Sequence, residues 1–410
     1  MPRRLRKEKL TLVESWRKPF DSQLFYNYKL ATDLSGIYIH IPFCKSKCGY
    51  CGFYSIPSIK LKDRFLEALK AEIVLRKEYL KNESVSTIYF GGGTPSLLSA
   101  DEVRDLLHLI NTQYPVAENP EITLEANPDT LSEAYLHALR EVGINRLSIG
   151  IQSFFDNDLQ YLGRKHDASH ALNCIIWAKQ AGFENLSIDL IYGLPTSDAD
   201  QWNQNLDLFF SYQLPHLSAY ALTLEPNSIL TKQIELGKVL PVNEDDAIRD
   251  YEILCRRAAE NGFLHYEISN FCKMGMYSKH NSSYWFGTPY LGLGPSAHSF
   301  DGTSRQWNVA NVEKYNDAGL RDAGRETLTP EQLYDEYVML RLRTHWGIDL
   351  KWLRREMGER FSSYCERLAI PLIQEGKLSQ TREFLYLDDQ QMLFADGVAE
   401  ALFWETYSNP

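Results

Sequence analysis

Three cysteines lie within eight residues, in the stretch Cys44-Lys-Ser-Lys-Cys48-Gly-Tyr-Cys51. Thiolates are the preferred soft ligands of iron–sulfur clusters, and a 4Fe–4S cluster is normally held by four of them. Phe53 stands at the nearby position where a fourth cysteine would fit. A cluster held by three cysteines leaves one iron open, and an open iron can bind and polarise a second molecule. The spacing therefore predicts a 4Fe–4S cluster with a free coordination position.

Zinc and disulfide bonds are the alternative uses of these thiols. Structural zinc usually takes four ligands in two separated pairs, whereas this stretch adds only the upstream His40 and the chain has no second pair. The chain contains seven cysteines, an odd number, and its basic N-terminus precedes no apolar signal segment. We therefore expect no disulfide framework, and the cluster is the stronger interpretation.

The spacing CxxxCxxC resembles the cluster loop of the radical S-adenosylmethionine enzymes. The preceding residues, Tyr38-Ile-His-Ile-Pro-Phe-Cys44, are similar to a narrower group within that superfamily. This group contains the oxygen-independent coproporphyrinogen III oxidases and the HemW-type heme chaperones. The resemblance implies that the open iron chelates the amino and carboxylate groups of S-adenosylmethionine.

The elements that must position these thiols follow a regular order. Six apolar strands are predicted, over residues 37–41, 87–90, 121–126, 146–151, 186–191 and 217–222. Helices are predicted between them, over 61–81, 168–180 and 198–212, with two more opened by capping boxes at Ser99–Glu102 and Thr130–Glu133. Alternation of strands and helices implies parallel pairing, and six repeats are two short of a closed (β/α)8 barrel. We expect an α/β fold, a partial (β/α)6 TIM-like barrel, as the resemblance also implies.

Polar and glycine residues collect at the predicted C-terminal ends of these strands, where such repeats carry their functional loops. The resemblance implies that the residues contacting S-adenosylmethionine are Tyr38, Tyr50, Gly91, Gly92, Gly93, Thr94, Glu125, Gln152, Arg164 and Asp189. Other interpretations stay open for them. The glycines fit a plain tight turn, the two acids fit buried salt bridges, Arg164 fits an exposed surface position, and the tyrosines fit ordinary packing.

The stretch His280-Asn281-Ser-Ser-Tyr284-Trp285 combines an imidazole with a phenol and an indole. Imidazole is a good iron ligand, and aromatic rings stack on a flat macrocycle. A histidine in such a stretch is nevertheless more often a plain loop residue than a ligand. The stretch resembles the HNxxYW motif of the HemW-type chaperones, which implies heme contacts for these four residues. His298, in a glycine-rich segment, is a second candidate near heme, and His40 a candidate near cluster or substrate.

Size and charge bound the remaining possibilities. The chain has 410 residues with 43 basic and 54 acidic side chains, a net charge of −11, which argues against general nucleic-acid binding.

We predict an N-terminal extension over 1–35, a core domain over 36–328 and a small helical, winged-helix-like domain over 329–410, with a hairpin at 385–394. The basic N-terminal tail is read as a solvated segment, with peripheral membrane contact as the minor alternative. We expect a cytoplasmic protein.

Two functions compete within the resembled group. The oxidases decarboxylate coproporphyrinogen III through a radical and carry CxxxCxxCxC, where this chain has Phe53. The HNxxYW stretch favours the chaperones, so we expect a chaperone that binds heme, a 4Fe–4S cluster and S-adenosylmethionine and delivers heme to an acceptor protein. The 35-residue extension is more typical of the oxidases, and an anaerobic heme-opening methyltransferase is a third class. An electron donor and a homodimer are compatible with these functions.

Overall fold

A computed structural model describes residues 35–81, 83–226, 228–318 and 322–405. The predicted N-terminal extension, apart from Ser35, lies outside these residues. The strands are β1 (Ser35–Ile41), β2 (Val85–Gly92), β3 (Val116–Ala126), β4 (Arg146–Gln152), β5 (Asn185–Tyr192), β6 (His216–Ala221), β7 (Leu264–Glu267), β8 (Asn270–Cys272), β9 (Tyr290–Leu293), β10 (His298–Phe300), β11 (Ser304–Asn308), β12 (Asp322–Thr327), β13 (Ile348–Asp349), β14 (Ser379–Gln380) and β15 (Phe384–Tyr386).

The α-helices of the described residues cover both the barrel and the C-terminal region. They are α1 (Lys62–Leu75), α2 (Ala100–Gln113), α3 (Glu133–Glu141), α4 (Asp156–Leu162), α5 (Ala168–Gln180), α6 (Ala199–Ser211), α7 (Ile229–Glu235), α8 (Glu244–Glu260), α9 (Lys279–Trp285), α10 (Val312–Ala318), α11 (Pro330–Leu342), α12 (Leu350–Met357), α13 (Glu359–Gln374) and α14 (Ala395–Glu400). Short 3-10 turns cover Pro95–Leu97, Pro128–Thr130 and Gln391–Phe394.

The first six strands pair in parallel and in sequence order, which confirms the predicted α/β partial barrel. They form the middle of a twelve-stranded sheet with the order β12-β11-β10-β9-β1-β2-β3-β4-β5-β6-β8-β7. Side chains alternate across a strand, so Ile37, Ile39 and Ile41 of β1 are fully buried beneath the helices. Tyr38 and His40 point the other way, into the barrel.

Several local predictions are wrong in instructive ways. Helix α1 ends at Leu75, and the turns that follow it bury Arg76, whose guanidinium donates to the Gly292 carbonyl. Ser99 and Glu102 form the predicted capping box, but α3 is capped by Ser132. Thr130 is unavailable for that cap because its hydroxyl donates to the Asn127 carbonyl.

The predicted hairpin at 385–394 is not formed. Strand β15 instead pairs with β14 and β13 in a three-stranded sheet, and the chain then enters the turn Gln391–Phe394. The Asp388 carboxylate accepts from the backbone amide of Gln391 at 3.0 Å. This hydrogen bond favours a helical turn over a second strand.

The C-terminal helices and this small sheet enclose their own hydrophobic cluster, from Tyr334 to Leu402. A half-buried ionic contact joins this region to the barrel: His265 Nδ1 of β7 lies 3.0 Å from Oδ1 of the exposed Asp389. Burial lowers the pKa of His265, but hydrogen bonds to Asp389 and Cys255 outweigh it and raise the pKa to about 10. The raised pKa favours the charged imidazolium, which strengthens this contact between the two regions.

Among the described residues, no helix has both the length and the apolar composition that crossing a bilayer requires.

Candidate functional site

The cysteine loop leaves the end of β1 and is closed at its base by backbone hydrogen bonds. The Cys44 amide donates to the Ile56 carbonyl at 3.0 Å. The Gly49 amide donates to the Leu162 carbonyl, and the Gly49 carbonyl accepts from the Leu230 amide. Cys44, Cys48 and Cys51 are unpaired and partly exposed. Phe53 is 69% exposed beside them, so this position is open at the protein surface.

Polar groups from neighbouring strands surround the thiols. Thr94 Oγ1 lies 3.5 Å from Cys44 Sγ, and Arg164 Nη1 lies 3.3 Å from Cys48 Sγ. The Arg164 guanidinium also donates to Asn127 Oδ1 at 2.8 Å and to the Gly150 carbonyl at 2.7 Å. Arg164 is therefore fixed against the loop, unlike an exposed surface arginine.

Three thiols are the ligand type that an iron–sulfur cluster takes. The described residues contain no group of three cysteine, histidine or acidic side chains that converge on one metal ion. A mononuclear zinc site would need such a group, whereas a 4Fe–4S cluster binds each cysteine at a different iron and so spreads its ligands. Burial raises the pKa of Cys51, so its thiol would release a proton on binding iron.

The triple glycine packs against the start of the cysteine loop. A Cβ on Gly93 would lie 2.6 Å from the Phe43 carbonyl oxygen and 2.8 Å from that of Ile41. The Gly93 amide donates to Ile41 O at 2.8 Å. Gly92 has φ +107°, a backbone conformation that L side chains rarely adopt. The turn therefore requires glycine because backbone from two strands meets there. A plain tight turn would not need this close approach.

Glu125 and Asp189 face the barrel interior from β3 and β5. Glu125 accepts from the Tyr89 hydroxyl at 2.8 Å and from the Gly92 amide at 3.1 Å, so it fixes the glycine turn. Asp189 accepts from Ser148 Oγ at 3.1 Å. Burial is the main cause that raises the pKa of both carboxyls, and it brings the pKa of Glu125 to about 7.

Three more predicted residues lie around this interior. Gln152 ends β4 with φ +70°, a strained conformation for a residue with a Cβ. The Tyr38 hydroxyl lies 3.1 Å from His40 Nδ1, and His40 Nε2 lies 2.9 Å from the Tyr54 carbonyl. Tyr50 packs beside the apolar side chains of Leu162 and Leu230. The structure thus brings the predicted cofactor residues to one rim.

The raised pKa of Glu125 predicts a pH dependence of stability. Between pH 4.5 and about 7 the folded protein retains a proton that the unfolded chain has lost, so this residue makes stability fall as pH rises through that window. As the pH rises through this range, we expect Glu125→Gln to become more stable relative to the parent protein, by on the order of 1 kcal/mol. Urea unfolding at pH 5 and pH 8 measures the difference. Glu118→Gln, exposed on the same strand, is the control, and parallel pH curves for the parent and Glu125→Gln would contradict the expectation.

His280 lies on helix α9, within the barrel, and not in a loop. Its side chain is buried, Nδ1 lies 2.8 Å from Thr87 Oγ1, and Nε2 lies 2.8 Å from the Tyr284 hydroxyl. The imidazole stacks on Tyr89, with ring centroids 4.9 Å apart. Both ring nitrogens are therefore already hydrogen-bonded, and His280 reaches a heme iron only after losing one of these bonds.

The other heme candidates are more dispersed. The Asn281 amide donates to Ser278 Oγ and helps to start α9, and Trp285 ends that helix half-buried. His298 is exposed on β10.

The structure also shows two residues that the sequence did not single out. Tyr89 connects His280 to Glu125, and Asn127 connects Arg164 to Thr94. Asn127 directly follows the end of β3. This position at the rim was the sequence signal that could have predicted it as a site residue.

The fold and the cysteine rim define the class of this protein. Residues 38–209 match the family model of the radical SAM superfamily, and residues 328–394 match the HemN C-terminal domain. The solved structure of coproporphyrinogen III oxidase HemN from Escherichia coli superposes with a TM-score of 0.79 over 95% of this chain and 94% of that one. At 22% identity this likeness establishes the fold alone.

Sequence relatives then define the family. The heme chaperone HemW of Mycobacterium tuberculosis is 34% identical over 375 residues, 90% of this chain and 94% of the relative. The heme chaperone HemW of Bacillus subtilis is 34% identical over 91% of this chain and its own entire length. The chain belongs to the HemW family of radical SAM proteins.

Proposed function

We propose that this protein is a heme chaperone that binds heme together with a 4Fe–4S cluster and S-adenosylmethionine and delivers the heme to an acceptor protein in the cytoplasm. The observation that carries the proposal is the match to relatives named heme chaperone HemW, at 34% identity along almost their whole length. The exposed Phe53 supports it, because the oxidases that the chain resembles have a further cysteine there.

Cys44, Cys48 and Cys51 would hold the cluster, with Arg164 and Thr94 against two of the sulfurs. When bound, the cluster supplies an open iron for S-adenosylmethionine and a carrier for one electron. The chain itself contributes the glycine turn, which gives a ligand close access to backbone, and the half-buried carboxylates of Glu125 and Asp189. These acids would accept hydrogen bonds from an ammonium group or from ribose hydroxyls, which would offset the cost of their burial.

The oxidase is the second candidate function, since the barrel is similar to that of HemN. One experiment separates the two. The anaerobically reconstituted protein is incubated with coproporphyrinogen III, S-adenosylmethionine and a reductant, and a parallel sample receives heme followed by an apo heme protein. We expect heme transfer and no decarboxylated product. Formation of protoporphyrinogen would overturn the chaperone, and failure to bind heme at all would overturn it independently.

We also propose that the protein, once its cofactors are bound, has two further partners: an electron donor and a second copy of itself. Membrane contact by the basic tail concerns residues outside the described part of the chain.

A further inference from the structure

The sheet continues beyond the barrel on the side of β1, and the continuation carries aromatic residues on the face that looks into the barrel. Tyr290 of β9 lies opposite Gly36 of β1, and its ring contacts Tyr284 of α9 with centroids 4.6 Å apart. Phe300 lies opposite Tyr290 on the next strand, and their rings are 6.5 Å apart. The interior face of the barrel therefore continues over β9 and β10.

Two strands form the outer part of this face. His298 of β10 pairs with Trp307 of β11, and Phe300 pairs with Arg305. Alternation along the strands puts all four side chains on one side of the sheet. We call this surface the aromatic shelf: Tyr290, His298, Phe300, Arg305 and Trp307. Strands lie about 4.8 Å apart, so β10 is about 10 Å from β1 and its Tyr38.

His298 is the accessible imidazole of this region. It is exposed, whereas His280 is 1% exposed and hydrogen-bonded at both ring nitrogens. Within the described residues, neither ring nitrogen of His298 forms a hydrogen bond. An imidazole nitrogen that is free of such bonds can bind a metal.

Trp307 lies beside this imidazole. The indole and the His298 ring have centroids 6.0 Å apart and planes inclined by 25°. The indole covers Gly324 of β12, where any Cβ would collide with it. A glycine at that position therefore lets the indole lie across the sheet, beside the histidine and away from the barrel.

Arg305 completes the shelf with positive charge. Its side chain is 37% exposed, and its guanidinium pairs with Glu336 at 2.6 Å and with Glu326 at 3.9 Å. A partly exposed guanidinium can exchange such partners for the carboxylate of a ligand, because guanidinium binds carboxylates in a forked geometry. An exposed imidazole, apolar rings and one guanidinium match the iron, the faces and a propionate of a heme.

We propose that the shelf is the heme-binding surface and that His298 is the axial ligand to the heme iron, an inference that rests on the proposed function. Trp307 then positions the imidazole, and Arg305 binds a propionate. His280 keeps a different task in this arrangement. Through Tyr89 it supports Glu125 and the glycine turn at the cofactor rim.

The test is a titration of the full-length protein with ferric heme, followed by visible absorption and electron paramagnetic resonance. His298→Ala should weaken heme binding by about 10- to 100-fold and lose the histidine-ligated spectrum, and Trp307→Ala should weaken binding roughly 10-fold. His298→Gly should regain the spectrum when imidazole is added, and His298→Cys should give the spectrum of a thiolate ligand. These two variants distinguish a lost ligand from a misfolded protein.

His137→Ala is the matched control, since it removes an exposed histidine on α3. His280→Ala should retain the spectrum of the parent protein. Unchanged spectra in both His298→Ala and His298→Cys, or loss of the spectrum in His280→Ala alone, would overturn the inference while leaving heme delivery intact. A parent protein that binds no heme would overturn both the inference and the proposed function.

Discussion

Replacement of Cys48 by alanine is expected to abolish the iron–sulfur cluster. Two cysteines would remain for a cluster that already has one ligand fewer than usual, and Arg164 would lose its sulfur partner. We expect bound iron and sulfide to fall by at least about tenfold after anaerobic reconstitution. The same result is expected for alanine at Cys44 and at Cys51. Iron and sulfide assays, with the visible absorption of the cluster, measure the loss.

Cys255→Ala provides the matched control, because Cys255 is also a partly exposed free cysteine but lies on α8, outside the loop. It should retain a full cluster. Full iron and sulfide content in all three loop variants would remove the basis for assigning the cluster to this loop.

Substitution of Gly93 by alanine is expected to have the second largest effect. The new methyl group would lie 2.6 Å from the Phe43 carbonyl oxygen, a distance that backbone cannot accommodate without moving. We expect the strand end and the cysteine loop to shift apart, with a loss of about 1–3 kcal/mol in the free energy of unfolding. Glu125 accepts a hydrogen bond from the Gly92 amide in the same turn, so a shift of the turn also displaces this proposed cofactor contact. S-adenosylmethionine binding should therefore weaken as well. Chemical denaturation and equilibrium dialysis of the reconstituted protein measure the two effects.

Gly397→Ala is a suitable comparison, since Gly397 lies in α14 and a Cβ there meets nothing within 4 Å. Alanine at this helical position should stabilise the protein by about 0.5–1 kcal/mol. If Gly93→Ala behaves like Gly397→Ala, the turn does not depend on close backbone approach.

The barrel was predictable because its signals are local. Each of the six strands is a short apolar run followed by an amphipathic helix, and the residues at the strand ends gather at one rim by topology alone. The cysteine spacing and the family resemblance led to Cys44, Cys48 and Cys51 as the proposed cluster ligands. Glu125 was found because an acid within an apolar strand needs a partner, and the structure supplies Tyr89 and Gly92.

The sheet beyond the barrel was not predictable in the same way. Strands β8 and β10 have three residues each, too few to show a period, and they exist because distant partners provide their hydrogen bonds. The environment of His280 is also long-range. The hydrogen bond between Thr87 and His280 joins α9 to β2, and no spacing along the chain predicts that this imidazole nitrogen already has a partner.

The outermost strand of the sheet has a consequence for self-association. Strand β12 pairs only with β11 in the described residues, and its outer residues Arg325, Glu326 and Thr327 are exposed. Charged side chains on a free edge discourage a second sheet from adding to it. We therefore expect neighbouring molecules to be kept from polymerising edge to edge, and any symmetric pair of copies to meet through helices or loops.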